Sequence, residues 1–354
     1  MHIVIFRTEG IGDVILASAC LHVIRRIHPA ATVYWIGRAP SLSLIADSFP
    51  EMIPVKISRR SSLRQDYHTI IRSIPHADHL LDLQCNGPSF ILSWALKFRL
   101  GCQVSTFNKR SLRRSWQVAK ARFTGRRGRH EAKPSHQGYL FQRMVKHCEL
   151  MFGFKGQNST RHGPRPHLIR SGQPKFSYDL AIGVGARHAT KSLPLDLLKA
   201  VIQRVFHQSG APFRLLLLGD QSDVARAEEL ASQLDSAMDI YNPVGRTSLP
   251  ETRDLLLEAK VCLSSDSAVG HLSEAVGCPV VVVYGPTSES FGYRPFLKQS
   301  ESISSPLGCR PCSKDGAKPC RYQDRQCFSD IDPATVATAL LKRIQAKGVE
   351  KPCP

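Results

Sequence analysis

Long apolar runs are what this 354-residue chain most plainly lacks. None approaches the ~18 residues that a membrane-spanning helix needs. The longest, Leu215 to Leu218 and Val280 to Tyr284, have the length of buried strands. The N-terminus also lacks the basic-then-apolar layout of a secretory leader, because Arg7, Glu9 and Asp13 interrupt it. These absences point to a cytoplasmic protein. Acid is scarce as well: 29 Asp and Glu stand against 48 Lys and Arg, for a formal net charge of +19. An apolar content of 42% with 22% charged residues excludes a disordered chain, and the length suits two domains, each with its own core.

The basic excess is uneven. Ten Lys or Arg and one acid, Glu131, lie between Lys109 and Lys133. A second block, Lys56, Arg59, Arg60 and Arg64, meets no acid until Asp66. Such blocks attract nucleic acid, an acidic membrane or a phosphorylated substrate. A merely solvated surface is the plain alternative, although arginine suits bidentate phosphate contact.

Strand and helix patterns alternate, which predicts an α/β protein with parallel sheets covered on both faces. In the first half, strands are expected at His2 to Phe6, Thr32 to Ile36 and Leu80 to Leu83. Helices are expected at Val14 to Ile27, Ser41 to Ser48 and His136 to Met151, and the Gly-punctuated stretch 109–133 reads as an irregular loop. The pattern restarts after a Gly-, Pro- and Ser-rich linker. Strands are expected at Leu180 to Val184, Phe213 to Leu218, Val261 to Ser264 and Val280 to Tyr284. Helices are expected at Leu195 to Gln208, Ser222 to Leu234, Arg253 to Ala259, Ala268 to Val276 and Pro333 to Ala346. The expected division is 1–160 for a first Rossmann-like domain, 161–178 for the linker and 179–332 for a second Rossmann-like domain. Residues 333–354 are expected to form a terminal helix and tail that pack back across the domains. The two parallel sheets are expected to face a central cleft, with ligands at the carboxyl ends of the strands.

Three stretches carry chemistry. In "FRTEGIGDVILASACLHVIRR", residues 6–26, a strand meets Gly10, Gly12 and Asp13 at the mouth of a helix. The third glycine of a dinucleotide fingerprint is missing, with Ile15 in its place, and a carboxylate there would repel a pyrophosphate. The loop is therefore poorly made for NAD and better made for presenting a base to a sugar hydroxyl, although an acid at a helix start is also ordinary capping. In "GVGARHATKSLP", residues 183–194, small residues, Thr190 and Lys191 at a strand end suit a phosphate, or simply a connecting loop. In "SSDSAVGHLSEAVGCPVVVVYGPTS", residues 264–288, Asp266 and Ser267 precede a helix whose first N–H groups, at Ser267, Ala268 and Val269, would point at an anion. His271 follows one turn on.

These stretches, with the late cysteine cluster, resemble glycosyltransferase family 9, the ADP-heptose:lipopolysaccharide heptosyltransferases, over nearly the whole chain. The resemblance implies the GT-B fold, an N-terminal acceptor domain and a C-terminal nucleotide-sugar domain. It implies inverting transfer of heptose from ADP-heptose to the lipopolysaccharide inner core without a required metal cofactor. By position it makes Asp13 the catalytic base and Lys191 the holder of the donor phosphate. Asp266, Ser267 and His271 fall at the donor's sugar and phosphates, with Thr190 as a phosphate neighbour. Gln221 falls where some members bind ribose, flanked by Asp220 and Asp223, and Arg246 and Thr247 of "GRTSL" fall at adenine. Ala268 departs from the family's glycine, a change that a negative φ would accommodate. Gly10 and Gly12 would clear space for the acceptor. The basic residues Arg59, Arg60, Arg64, Arg122 and the rest of the region Arg113 to Arg129 would bind its acidic groups or an anionic membrane surface, placing the protein at the periphery of the inner membrane. Nucleic acid is not an expected partner. Transfer of heptose or another sugar to a protein or other glycan is a rival within the same fold. A non-catalytic binder of anionic surfaces or nucleic acid is a rival outside it.

Of eleven cysteines, Cys20, Cys85, Cys148, Cys262 and Cys278 lie in apolar stretches and read as buried thiols. Cys309, Cys312, Cys320 and Cys327 form C-x2-C-x7-C-x6-C. That spacing leaves open a structural zinc site, free thiols whose pKa Lys314, Lys318, Arg321 and Arg325 would lower, and disulfides.

Overall fold

A computed structural model describes residues 1–127, 139–153, 164–168, 177–209 and 212–346. It divides the chain into two compact units, Met1–Arg110 with Leu140–Arg170, and Ser111–Tyr139 with Ser171–Pro354. The region 128–138, which holds Arg129 and Lys133, and most of the expected linker lie outside the described residues.

The first unit is built on a parallel sheet of five strands, β1 (His2–Phe6), β2 (Thr32–Gly37), β3 (Ile53–Lys56), β4 (His79–Asp82) and β5 (Gln103–Thr106), in the order β3-β2-β1-β4-β5. In β1, Ile3, Val4 and Ile5 are wholly buried, as a central parallel strand requires. Its helices are α1 (Ile11–Ala17), α2 (Ala19–Ile27), α3 (Ser41–Ser48), α4 (Leu63–Ser73), α5 (Gly87–Leu100) and α7 (Leu140–Met151), α6 belonging to the second unit. The single helix expected over 14–27 is broken at Ser18, whose buried hydroxyl bonds back to Ile15 O at 2.7 Å. One core joins Val4, Phe6, Ile36, Val55, Ile70, Leu80, Leu92 and Leu96.

The irregular loop expected over 109–133 is corrected by α6 (Ser111–Thr124), which falls in the second unit and runs into a short 3-10 turn at Gly125–Arg127. Glycine begins only at 125, and the preceding stretch is rich in good helix formers, with Val118 and Ala121 buried on one face.

The second unit has six parallel strands: β6 (Leu180–Gly183), β7 (Arg214–Leu218), β8 (Asp239–Tyr241), β9 (Cys262–Ser265), β10 (Val280–Tyr284) and β11 (Glu301–Ser304). Their order is β11-β10-β9-β6-β7-β8. The helices after α7 are α8 (Leu195–Ser209), α9 (Val224–Ser232), α10 (Leu249–Leu257), α11 (Ala268–Ala275), α12 (Gln326–Ser329) and α13 (Pro333–Ile344). The apolar face of α13, with Val336, Leu340 and Leu341, lies in this unit's core with Leu198, Val201 and Ile202 of α8. Residues 347–354 lie outside the described residues. Among those described, no helix is long and apolar enough to cross a membrane.

Candidate functional site

Each sheet reverses its strand order once, and such a reversal leaves a crevice outside the carboxyl ends of the two strands that flank it. In the first unit those strands are β1 and β4. The chain leaves β1 through Arg7, whose buried guanidinium donates from Nη1 to Leu83 O at 2.6 Å and pairs through Nη2 with Asp13 Oδ2 at 2.5 Å. Asp13 sits in the first turn of α1, one residue after Gly12, and keeps 27% of its side-chain surface exposed. The carboxylate is therefore fixed on one side and reachable on the other. Gly10 allows this placement: its φ is +77°, and a Cβ there would stand 2.8 Å from Asp13 Oδ2.

The neighbouring loop completes the crevice. Gln84 Oε1 accepts from the backbone N–H of Thr8 at 3.2 Å and Glu9 at 3.3 Å, and Lys109 Nζ donates to Gln84 O. Burial, then the Arg7 charge, pushes the Lys109 ammonium down to about 8, with Asp13 acting in the opposite direction. Sequence reasoning missed Arg7, Gln84 and Lys109. Arg7 directly follows β1 and Gln84 lies two residues past the end of β4, and that position was the available signal.

Beyond β2 and β3, Arg38, Lys56, Ser58, Arg59, Ser61 and Asp66 line a cavity of about 400 Å³. Of the expected acceptor residues, only Arg59 lines it. Arg60 is exposed and Arg64 lies in the first turn of α4, behind the capping box of Ser62 and Gln65. Arg38 and Lys56 are the further cations. Arg122 falls in the second unit, where Nη1 donates to Cys312 O at 3.2 Å.

The second crevice lies between the ends of β6 and β9. It brings together Lys191 and Asp266, with Nζ and Oδ2 3.1 Å apart. Thr287 Oγ1 donates to the same carboxylate oxygen at 2.8 Å. Burial alone would raise the Asp266 carboxyl, but Lys191, His271 and Thr287 outweigh it and hold it below its ordinary value. Ser267 is the N-cap of α11 without a side-chain bond to the helix end, so that end is not capped from within. Ala268 is not among the described residues with positive φ, so its methyl meets the condition stated for replacing glycine. His271 is buried, its ring 5.9 Å from that of Tyr293. Gln221 packs beside Gly245, next to Arg246 and Thr247, so these candidates also come together. Asp223 lies against Gly185 so closely that a Cβ there would collide with its carboxylate.

The cysteine segment braces this crevice. Thr190 Oγ1 donates to Gly316 O, and Arg325 Nη2 donates to Thr190 O at 3.4 Å and to Ser192 O. Gly316, with φ of +92°, leaves room for the Lys191 stem: a Cβ there would be 2.5 Å from Lys191 Cγ and Cδ. From the other side, α6 is tied to the same segment. Arg321 Nη1 donates to Arg122 O at 2.6 Å, and Arg126 pairs with Asp324 and lies over the Tyr322 ring. Gly316 and Arg325 had no sequence signal, since their role depends on a fold-back of more than 120 residues.

Cys309, Cys312, Cys320 and Cys327 are free thiols. Among the described residues no group of three His, Cys, Asp or Glu side chains is placed to share one metal ion. The expected lowering of thiol pKa is corrected. Burial pushes Cys327 up to about 12 and raises Cys309 and Cys312, outweighing the nearby arginines.

Residues 104–323 match the model of glycosyltransferase family 9 (heptosyltransferase). The chain is 24% identical to lipopolysaccharide heptosyltransferase 1 of Pseudomonas aeruginosa, across 96% of this chain and 97% of that one. Among solved structures it resembles a family 9 glycosyltransferase of Veillonella parvula, with a TM-score of 0.71 at 13% identity, covering 97% of both chains. It also resembles the ADP-heptose lipopolysaccharide heptosyltransferase II of E. coli, with a TM-score of 0.68 at 17% identity, covering 97% of this chain and 98% of that one. These two likenesses establish the GT-B fold. The chain belongs to glycosyltransferase family 9, the heptosyltransferases.

Proposed function

We propose that this transferase moves heptose from ADP-heptose to a hydroxyl of the lipopolysaccharide inner core, with inversion, and that Asp13 is the general base. The observation that carries the reading is the Arg7–Asp13 pair, which presents a half-fixed, solvent-reachable carboxylate at the crevice of the first sheet. In a single in-line displacement the acceptor oxygen attacks the anomeric carbon and the bond to the ADP oxygen breaks. The acceptor hydroxyl passes its proton to Asp13, and ADP leaves with the electron pair. One carboxylate suffices because a phosphate leaves readily, so the paired acids of glycosidases are not needed.

The developing charge on ADP would be met by Lys191 and by the first N–H groups of α11. Lys191 already pairs with Asp266, so in this reading the donor phosphate shares the ammonium with that carboxylate. No metal is assigned a part in the transfer. Support for an acidic acceptor comes from the cavity with Arg38, Lys56 and Arg59, where Glu9 and Asp66 pair with Arg38 and leave Lys56 and Arg59 to meet a sugar acid or phosphate. The names of the relatives support the donor and the lipopolysaccharide acceptor. The protein is placed in the cytoplasm, at the inner membrane where that acceptor is anchored.

Incubating the chain with ADP-heptose and a core acceptor lacking heptose tests the reading. The expected product carries one added heptose, with its anomeric configuration opposite to that of the donor by NMR. Retained configuration, or transfer only to a protein or unrelated glycan, would overturn it.

A further inference from the structure

The acid-free stretch of the chain coincides with its most exposed aromatic residues. From Leu83 to Arg127 there are ten Lys or Arg and no Asp or Glu. Within it, α5 buries Ser89, Leu92, Ser93 and Leu96, and turns Phe90, Ile91, Trp94 and Phe98 to solvent. Phe98 is 80% exposed and Ile91 56%. The spacing of 90, 94 and 98 puts three rings on one stripe, consecutive ring centroids lying 6.0 Å apart. Lys97 Nζ lies 4.6 Å from the Trp94 ring centroid, and Arg99 is exposed. A helix that buries one apolar face and exposes a second, aromatic one is costly for a surface that meets only water.

We propose that this face of α5 docks on an anionic lipid bilayer, the rings entering the headgroup boundary while Lys97 and Arg99 meet lipid phosphates. Amphipathic surface helices combine these residue types, and tryptophan favours the interface. The lack of any acid across the stretch selects a negatively charged surface over a neutral one. The docking role rests on the reading above in one respect: a lipid-anchored acceptor gives the surface its purpose. In the second unit, α6 likewise exposes Leu112, Trp116 and Phe123, so the two helices are tested separately.

The test uses the full chain with vesicles of phosphatidylcholine alone and of phosphatidylcholine mixed equally with phosphatidylglycerol. Binding is read by sedimentation, and Trp94 emission is read in a Trp116→Phe background, since Trp35 is fully buried. The protein should sediment with the mixed vesicles only, and Trp94 emission should shift to the blue. Combined Phe90→Ser, Trp94→Ser and Phe98→Ser substitutions should lower the bound fraction at least about tenfold, with an unchanged melting temperature. Phe98→Glu alone serves if the triple variant folds poorly. Equal binding to neutral vesicles, or undiminished binding by the α5 variants, would overturn the proposal. So would loss of binding confined to serine variants of Leu112, Trp116 and Phe123, or a dimer that the α5 variants dissociate without any vesicle binding. Transfer to a water-soluble acceptor fragment is measured alongside. A protein that binds vesicles but transfers no heptose leaves the docking surface standing and refutes the functional reading; active transfer without vesicle binding does the reverse.

Discussion

Lys191 Nζ stands 3.1 Å from Asp266 Oδ2, joining the loop after β6 to the end of β9 at the strand-order reversal of the second sheet. Thr287 and the stem-side space at Gly316 hold the pair in place. Both side chains are mostly buried, so each partner leaves a poorly solvated charge when the other is removed. Asp266→Ala should lower stability by about 3 kcal/mol, read by denaturant unfolding, and should weaken donor binding. Lys191→Met should weaken donor binding more than acceptor binding. Equal loss of both would count against Lys191 as a phosphate ligand.

The same pair predicts an acid limb in stability. The folded Asp266 carboxyl lies below its ordinary value of 3.8. Its contribution is fully present above that value and is lost as pH falls through the lower, folded one. Unfolding free energy measured from pH 7 down to pH 3 should therefore fall less steeply in Asp266→Asn than in wild type. Parallel profiles would show that the carboxylate is not stabilised by its partners.

Lys109 predicts a slope at the alkaline end. Its folded value of about 8 lies under the ordinary 10.5, so between these limits the unfolded chain holds more protons. Stability contributed at this site should rise with pH across that window, and Lys109→Met should remove the rise. The comparison of wild type and variant by urea unfolding at the two ends of the window isolates the residue.

Two glycines predict separate kinetic signatures. Gly10→Ala would place a methyl against Asp13, and a displacement of the base by about 1 Å costs roughly a hundredfold in turnover, with donor affinity retained. Gly316→Ala would push the Lys191 stem, so donor KM should rise while acceptor KM stays unchanged. Its positive φ adds a stability loss of about 1–3 kcal/mol. Exchanged signatures would contradict the assignment of base and donor ligand to these two crevices.

The central strands were legible because they are buried on both faces: β1, β6 and β10 read as continuous apolar runs. The strands with no such signal are β3, β5, β8 and β11, which are the four edges of the two sheets. Each is short and largely solvent-facing, as in Gln103–Thr106 with no fully buried residue, so hydrophobic pattern could not reveal it. Helix α5 escaped for a related reason, since it is apolar on both faces and shows no clean periodicity. The motif residues Asp13, Lys191 and Asp266 were legible because each follows a readable strand. Gly316 and Arg325 act through contacts between segments far apart in sequence or through a backbone angle, and neither leaves a local pattern.

Comparing wild type with Asp13→Asn, ADP-heptose binding by calorimetry and heptose transfer to the core acceptor are measured on the same preparations. Asn keeps the shape and removes the proton acceptor. The account predicts unchanged donor affinity and a loss of turnover of about 10²–10⁴. Turnover within tenfold of wild type would contradict Asp13 as the base.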